Sequence, residues 1–145
     1  MRISIGSDHA GYELKERLKR MLEEEGYEIV DRGCHSEESV DYPDYARLVS
    51  EDVLNGMADY GILICGTGIG MSISANRYRG IRAALCLYPK MAELARRHND
   101  ANILVMGGRL LSSSMAKWIA EVFLKTEFEG GRHERRVKKM DELGR

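Results

Sequence analysis

The sequence predicts an α/β fold: a doubly wound, five-stranded parallel sheet with helices on both faces, a Rossmann-like three-layer sandwich. Two observations carry this reading. Short apolar runs alternate with amphipathic segments from one end of the chain to the other, the signature of repeated β–α units. Most of the runs are rich in Ile, Val and Leu instead of alternating apolar with polar residues, as strands covered on both faces require.

The elements follow in order. A first strand is read at 2–7, and after it Leu14, Leu18, Met21 and Leu22 share one helical face. A second strand is read at 27–31, followed by a helix whose face carries Tyr45, Leu48, Val49 and Val53. The third strand, 60–65, runs into a glycine-rich loop. The fourth, 82–87, precedes a helix marked by Met91, Leu94 and Ala95. The fifth, 102–106, precedes one marked by Met115, Ile119, Val122 and Phe123, with Ser112-Ser113-Ser114 offering N-caps. Gly130-Gly131 is the one clear break, ahead of a short basic terminal helix. Residues 1–145 are therefore expected to form one domain, with a basic C-terminal segment at 130–145.

Composition narrows the class of function. A chain of 145 residues with 43% apolar and 31% charged residues can bury its own core. A net charge of −1 gives no long-range pull toward nucleic acid or an anionic membrane. No stretch approaches the ~20 apolar residues of a membrane span. The N-terminus reaches Asp8 and His9 too early to hold the apolar region of a signal peptide. Cys34, Cys65 and Cys86 make an odd count with no C-x-x-C pair, which predicts a cytoplasmic protein with reduced thiols.

Parallel sheets bind ligands beyond the carboxyl ends of their strands, so the loops after the strands are where chemistry is expected. The third strand opens into Cys65-Gly66-Thr67-Gly68-Ile69-Gly70-Met71-Ser72. Glycines allow close backbone approach, and successive amides at a helix start attract an anion. Three familiar loops do not fit. The G-x-G-x-G spacing is not a dinucleotide fingerprint, and no lysine between Asp59 and Lys90 can serve a nucleotide P-loop. A cysteine phosphatase would place arginine where Met71 stands.

Cys65 is the reactive candidate. A thiol near a helix start ionises more readily, and a thiolate there can take a carbon-bound proton while neighbouring amides stabilise the enediolate. Cys34 and Cys86 read as structural thiols. Asp8 and His9 follow the first strand and belong beside the glycine loop in a doubly wound sheet, although both also suit a helix start. His98 is expected at a helix end near the site, with a side chain suited to proton transfer. Arg132 and Arg136, spaced i, i+4, project from one helical face and can clamp a phosphate. The tail after Phe128 has no aromatic platform for nucleic acid.

Together these residues resemble the ribose-5-phosphate isomerase type B family, which also includes the galactose-6-phosphate isomerase subunits. The motifs are Ser7-Asp8-His9-Ala10-Gly11, Asp41-Tyr42-Pro43, the Cys65–Ser72 loop, Arg97-His98-Asn99-Asp100-Ala101-Asn102 and Gly130-Gly131-Arg132-His133. The resemblance implies an aldose–ketose isomerase acting on ribose 5-phosphate and ribulose 5-phosphate. It implies no metal, no organic cofactor, and a homodimer, or a larger assembly, whose sites lie across the subunit interface. By resemblance Cys65 is the base, His98 the acid of ring opening, Asp8 its assistant at the sugar hydroxyls, and Thr67 a support for both steps. Amides from Gly66 through Gly68 and Ile69 to Gly70 match the anion hole. His9, Arg132 and Arg136 match the phosphate contacts, and Asn99 and Arg109 further substrate contacts. Some members replace the cysteine by a glutamate at the position of Met71; here the cysteine is present. Two alternatives stay open: a preference for a six-carbon phosphate of the allose or galactose type, and a non-catalytic phosphosugar-binding module.

Overall fold

Five parallel strands form one sheet in the computed structural model, which describes residues 1–144: β1 (Arg2–Ser7), β2 (Glu28–Asp31), β3 (Tyr60–Cys65), β4 (Ala83–Leu85) and β5 (Ile103–Gly107). Their order across the sheet is β2-β1-β3-β5-β4. The helices are α1 (Tyr12–Glu24), α2 (Tyr42–Leu54), α3 (Ile69–Ala75), α4 (Pro89–Asn99), α5 (Ser113–Lys125) and α6 (Arg132–Glu142). A single 3-10 turn, His9–Gly11, precedes α1.

The apolar faces read from the sequence become two layers. Leu14, Leu18 and Leu22 of α1 join Ala92 and Ala95 of α4 and Ile119 and Phe123 of α5 against Ile3, Ile5, Ile62 and Ile64. On the opposite face Ala46 and Val49 of α2 and Met71 and Ala75 of α3 cover Leu63, Ile103 and Val105. The alternation of Ile62, Leu63 and Ile64 between the two layers is the period-two pleat of a strand buried on both sides. Because α1 and α3 leave on opposite faces toward opposite edges, the carboxyl ends of β1 and β3 flank the topological switch point. Their register pairs Ser7 with Ile64, and Cys65 faces Gly107 on the other side.

The fourth strand is trimmed at both ends relative to the expected 82–87. Pairing in β4 starts at Ala83 because the Arg82 amide donates to the Asn102 side chain (2.8 Å) and not to the ladder. It stops at Leu85, so Cys86 lies just past the strand and not inside it, though still buried. Burial pushes the Cys86 thiol up to about 12, as suits a structural role. Cys34 is also buried and donates to the Ser36 carbonyl.

Two networks pair charged residues inside the fold. Lys15 has no exposed surface and places its ammonium 2.9 and 2.8 Å from the two Asp31 oxygens. Burial alone would raise the Asp31 carboxyl. Lys15, the Gly33 amide and Lys19 outweigh it and hold Asp31 below the ordinary carboxylate range. On the α2 face, Asp52 accepts from Arg32 (2.7 and 2.6 Å) and from Ser4 (2.7 Å). The Arg32 guanidinium, aided by the Ser4 hydroxyl, lowers Asp52 against the opposing effect of burial.

Candidate active site

β3 delivers Cys65 to the carboxyl edge of the sheet, where only 5% of the residue is exposed. The loop behind it is fixed by main-chain bonds. Gly108 N–H donates to the Cys65 carbonyl (2.7 Å), and Arg109 N–H donates to the Gly66 carbonyl (3.0 Å). Gly68 caps α3 in the left-handed region, with φ of 85°, and a Cβ there would lie 2.5 Å from Leu85 Cδ1. That position needs glycine twice over. Thr67 Oγ1 accepts from the Ile69 amide (3.2 Å). The amides of Gly66, Thr67, Gly68 and Gly70 donate to no protein group among the described residues. Four donors are thus left for a ligand, and the Ile69 amide is the one member of the expected set already used.

The β1 loop closes against the same edge. Asp8 N–H donates to the Ile64 carbonyl (3.2 Å), and Asp8 Oδ1 accepts from Gly11 N–H (3.1 Å). Asp8 is therefore a cap, and its second oxygen has no bond to the protein among the described residues. A Cβ on Gly11 would lie 2.5 Å from the Ile64 carbonyl oxygen, so this contact is possible only without a side chain. His9 Nδ1 accepts from Val40 N–H (3.2 Å), which leaves the ring hydrogen on Nε2. Arg109 lies over Gly66, where an added Cβ would come within 3.4 Å of its guanidinium. The Tyr42 ring covers Gly70. Asp8, His9, Cys65, the loop amides and Arg109 thus gather at one edge.

The remaining candidates lie elsewhere. α4 runs back antiparallel to the strands and ends at the amino edge of the sheet. There Asn102 N–H donates to the Arg82 carbonyl, and the Asn102 carbonyl accepts from Gly61. Gly61 and Cys65 are four residues apart on β3, about 13 Å at strand rise. His98 and Asn99 therefore stand at the far end from Cys65 within one chain, and the expected helix end near the thiol is not found there. Its physical reason is topological: a crossover helix must return the chain to where the next parallel strand begins.

This second group has its own organisation. The rings of His98 and His133 stack at 4.3 Å and 11°. Glu129 sits at their edges, 3.9 Å from His98 Nε2 and 3.7 Å from His133 Nε2, and its N–H donates to the Arg97 carbonyl. Burial foremost, then the positive neighbours, lowers the proton affinity of His133. Arg132 and Arg136 are exposed on α6, one turn apart. Sequence reasoning assigned no role to Glu129 or His133. The i, i+4 spacing of the two was a legible hint, but the stacking partner is 35 residues upstream. A cleft of about 650 Å³ lined by Arg77, Arg82, Asn99 and Asp141 opens at this end and does not reach Cys65.

A thiol and free amides at the switch point of a parallel sheet, with imidazoles and guanidinium groups on the returning helices, define an α/β isomerase scaffold. The Ribose/Galactose Isomerase family model matches residues 3–140. The chain is 47% identical over 136 residues to ribose-5-phosphate isomerase B of Escherichia coli (strain K12), covering 94% of this chain and 91% of that protein. It is 45% identical to ribose-5-P isomerase B of Listeria innocua, covering 99% and 97%. The crystal structure of a ribose 5-phosphate isomerase from Thermotoga maritima superimposes with a TM-score of 0.97 at 62% identity, covering 98% of both chains. The chain belongs to the ribose/galactose isomerase family, and it is an isomerase.

Proposed function

We propose that this protein interconverts D-ribose 5-phosphate and D-ribulose 5-phosphate in the cytoplasm, through an enediolate, at sites built by two copies of the chain. The names of its relatives supply the substrate. The observation that carries the chemistry is the Cys65 thiol beside four amides with no acceptor among the described residues. The sugar lies with C1 and C2 over Cys65. Its phosphate is met by His9 Nε2–H and by Arg132 and Arg136, with Arg109 and Asn99 as further contacts. His98 gives a proton to the ring oxygen, while Asp8 receives the C1 hydroxyl proton through its free oxygen and Thr67 steadies the opened chain. Cys65 then removes the C2 proton, the loop amides take up the developing negative charge, the O2 hydroxyl proton passes to O1 across the enediolate, and the thiol returns the carbon-bound proton to C1. Asp8 releases its proton to solvent and His98 is reprotonated from it, so the protons balance; C2 is oxidised as C1 is reduced, and the reaction needs neither an external oxidant nor a cofactor.

The separation of Cys65 from His98 supports a two-copy site. One chain holds the halves at opposite edges, and a two-fold partner presents the missing edge. Exposed Ile69 and Ile73 on α3, one helical turn apart beside the glycine loop, offer an apolar surface for that partner. A complementation assay tests the reading. Cys65→Ala and His98→Asn are each made, shown to be inactive, then unfolded and refolded together. Half the dimers carry one variant of each kind, and each of these keeps one intact site, so about a quarter of wild-type turnover returns. No recovery on mixing would place both residues in one chain's site and sink the proposal. Turnover of ribose 5-phosphate in a coupled assay, undiminished by EDTA, is expected to exceed that of allose or galactose 6-phosphate.

A further inference from the structure

We propose that His98, Glu129 and His133 bind a divalent transition-metal ion, zinc above all, and that the bound ion switches the enzyme off. The inhibitory half rests on His98 acting in ring opening; the binding half rests on the cluster alone.

One donor atom from each residue lies within 4.8 Å of the other two. Glu129 offers a different oxygen to each ring: Oε2 is 3.9 Å from His98 Nε2, and Oε1 is 3.7 Å from His133 Nε2. These gaps are too long for hydrogen bonds. They exceed by only a few tenths of an ångström the ~3.3 Å that separates neighbouring ligands around a tetrahedral zinc with bonds of ~2.0–2.1 Å. All three donor atoms lie within 4.8 Å of one another, and the stacked rings must tilt toward each other for both nitrogens to meet one ion.

His133 supplies the independent sign of a ligand. Its side chain is only 6% exposed, and its Nε2 has no hydrogen-bond partner among the described residues. An unpartnered buried nitrogen is costly, and this one lies toward the Glu129 carboxylate at 3.7 Å. Stacking on His98 engages the ring faces and leaves both Nε2 atoms at the edge.

The charges around the cluster are compatible with an ion. Arg97 stands 3.4 Å from Glu129 and also 3.6 Å from Glu93, so it can turn to Glu93 when the ion takes the carboxylate. Two imidazoles and one carboxylate favour zinc over calcium or magnesium, which prefer oxygen ligands, and they leave a fourth position for water. An ion bound there occupies the His98 nitrogen lone pair, and that nitrogen can no longer carry a proton to the sugar.

The test uses the intact protein freed of metal with EDTA. Cobalt(II) is titrated in while the visible absorption of a tetrahedral site is recorded, and isomerase turnover is followed with added zinc. The cobalt band should saturate at one ion per chain, and zinc should suppress turnover until EDTA restores it. Glu129→Gln, at a half-exposed position, and His133→Asn should each weaken cobalt binding and zinc inhibition by about tenfold or more. Cys65→Ala should keep the band. No tetrahedral band, or an unchanged band in Glu129→Gln, overturns the site; loss of the band in Cys65→Ala moves the ion to the thiol and overturns it too. Cobalt binding as described with zinc inert on turnover leaves the site standing and instead overturns the inhibitory half together with the ring-opening role of His98.

Discussion

The two edges of the sheet hold the two halves of the proposed site in different ways. At the carboxyl edge, Cys65 is buried and its surroundings are main chain: free amides, a left-handed glycine, and loops bonded carbonyl to amide. At the amino edge, His98, Arg132 and Arg136 are side chains on helix surfaces, and α6 is held to the body through α4 and the Arg82–Asp141 pair (3.0 and 3.1 Å). The first half is preorganised to stabilise charge that develops during reaction. The second half can adjust to a phosphate that arrives already charged. In the proposed reading carbon-proton transfer falls on the stiff half, and the ring-opening acid and the α6 phosphate contacts on the adjustable one.

The sharpest way to break this contrast is to remove the base. Cys65→Ala should lower turnover by roughly 10²–10⁴-fold with substrate binding, read by calorimetry, nearly unchanged. Loss of binding with turnover per bound substrate intact would reverse the roles of the two halves. Arg136→Ala should do the opposite, raising KM by roughly 10–100-fold while kcat moves little. An unaltered KM would remove α6 from phosphate capture.

Gly68→Ala probes the stiffness itself. The added methyl meets Leu85 and the backbone must keep φ at 85°, so the protein should lose about 1–3 kcal/mol of stability. kcat should fall further than Tm implies, because the amides are displaced. A stable variant with full kcat would show that the loop shape is not needed.

The smallest effect on catalysis is expected away from both halves. Asp52→Ala should cost about 2–3 kcal/mol, discounted for the part-exposed Arg32, without changing KM. Asp31 and Asp52 are both held below their unfolded values, so their stabilisation is complete above a pH of about 4 and is lost as acid reaches the folded values. Acid unfolding monitored by circular dichroism should therefore become shallower in Asp52→Ala.

Much of this was readable from residues alone. The buried runs gave the strands, and the Cys65–Ser72 loop announced its position between β3 and α3. Sheet order was harder, because β5 inserts between β3 and β4 and no local pattern encodes that. The buried Lys15 was invisible for a related reason: it lies next to the apolar stripe of α1, and only the tertiary approach of Asp31 makes its burial tolerable. A site shared across an interface was expected from the family resemblance, but which residues stand on which half escaped motif reading. Arg97-His98-Asn99 stands shortly before a strand, and whether it faces Cys65 depends on which end of the sheet that helix reaches. The Glu129–His133 pairing with His98 is a contact between segments that shares no sequence window.

The bonds from Gly108 and Arg109 to the carbonyls of Cys65 and Gly66 carry a consequence for how this molecule can change over time. They are made by atoms every amino acid possesses, so exchange of surface side chains around the loop leaves the cradle's outline intact. A gained or lost residue in either loop shifts the pairing by one position and removes it at once. Lineages of this chain should therefore vary in the exposed side chains around the loops, the close-packed glycines and site residues apart, and hardly at all in length.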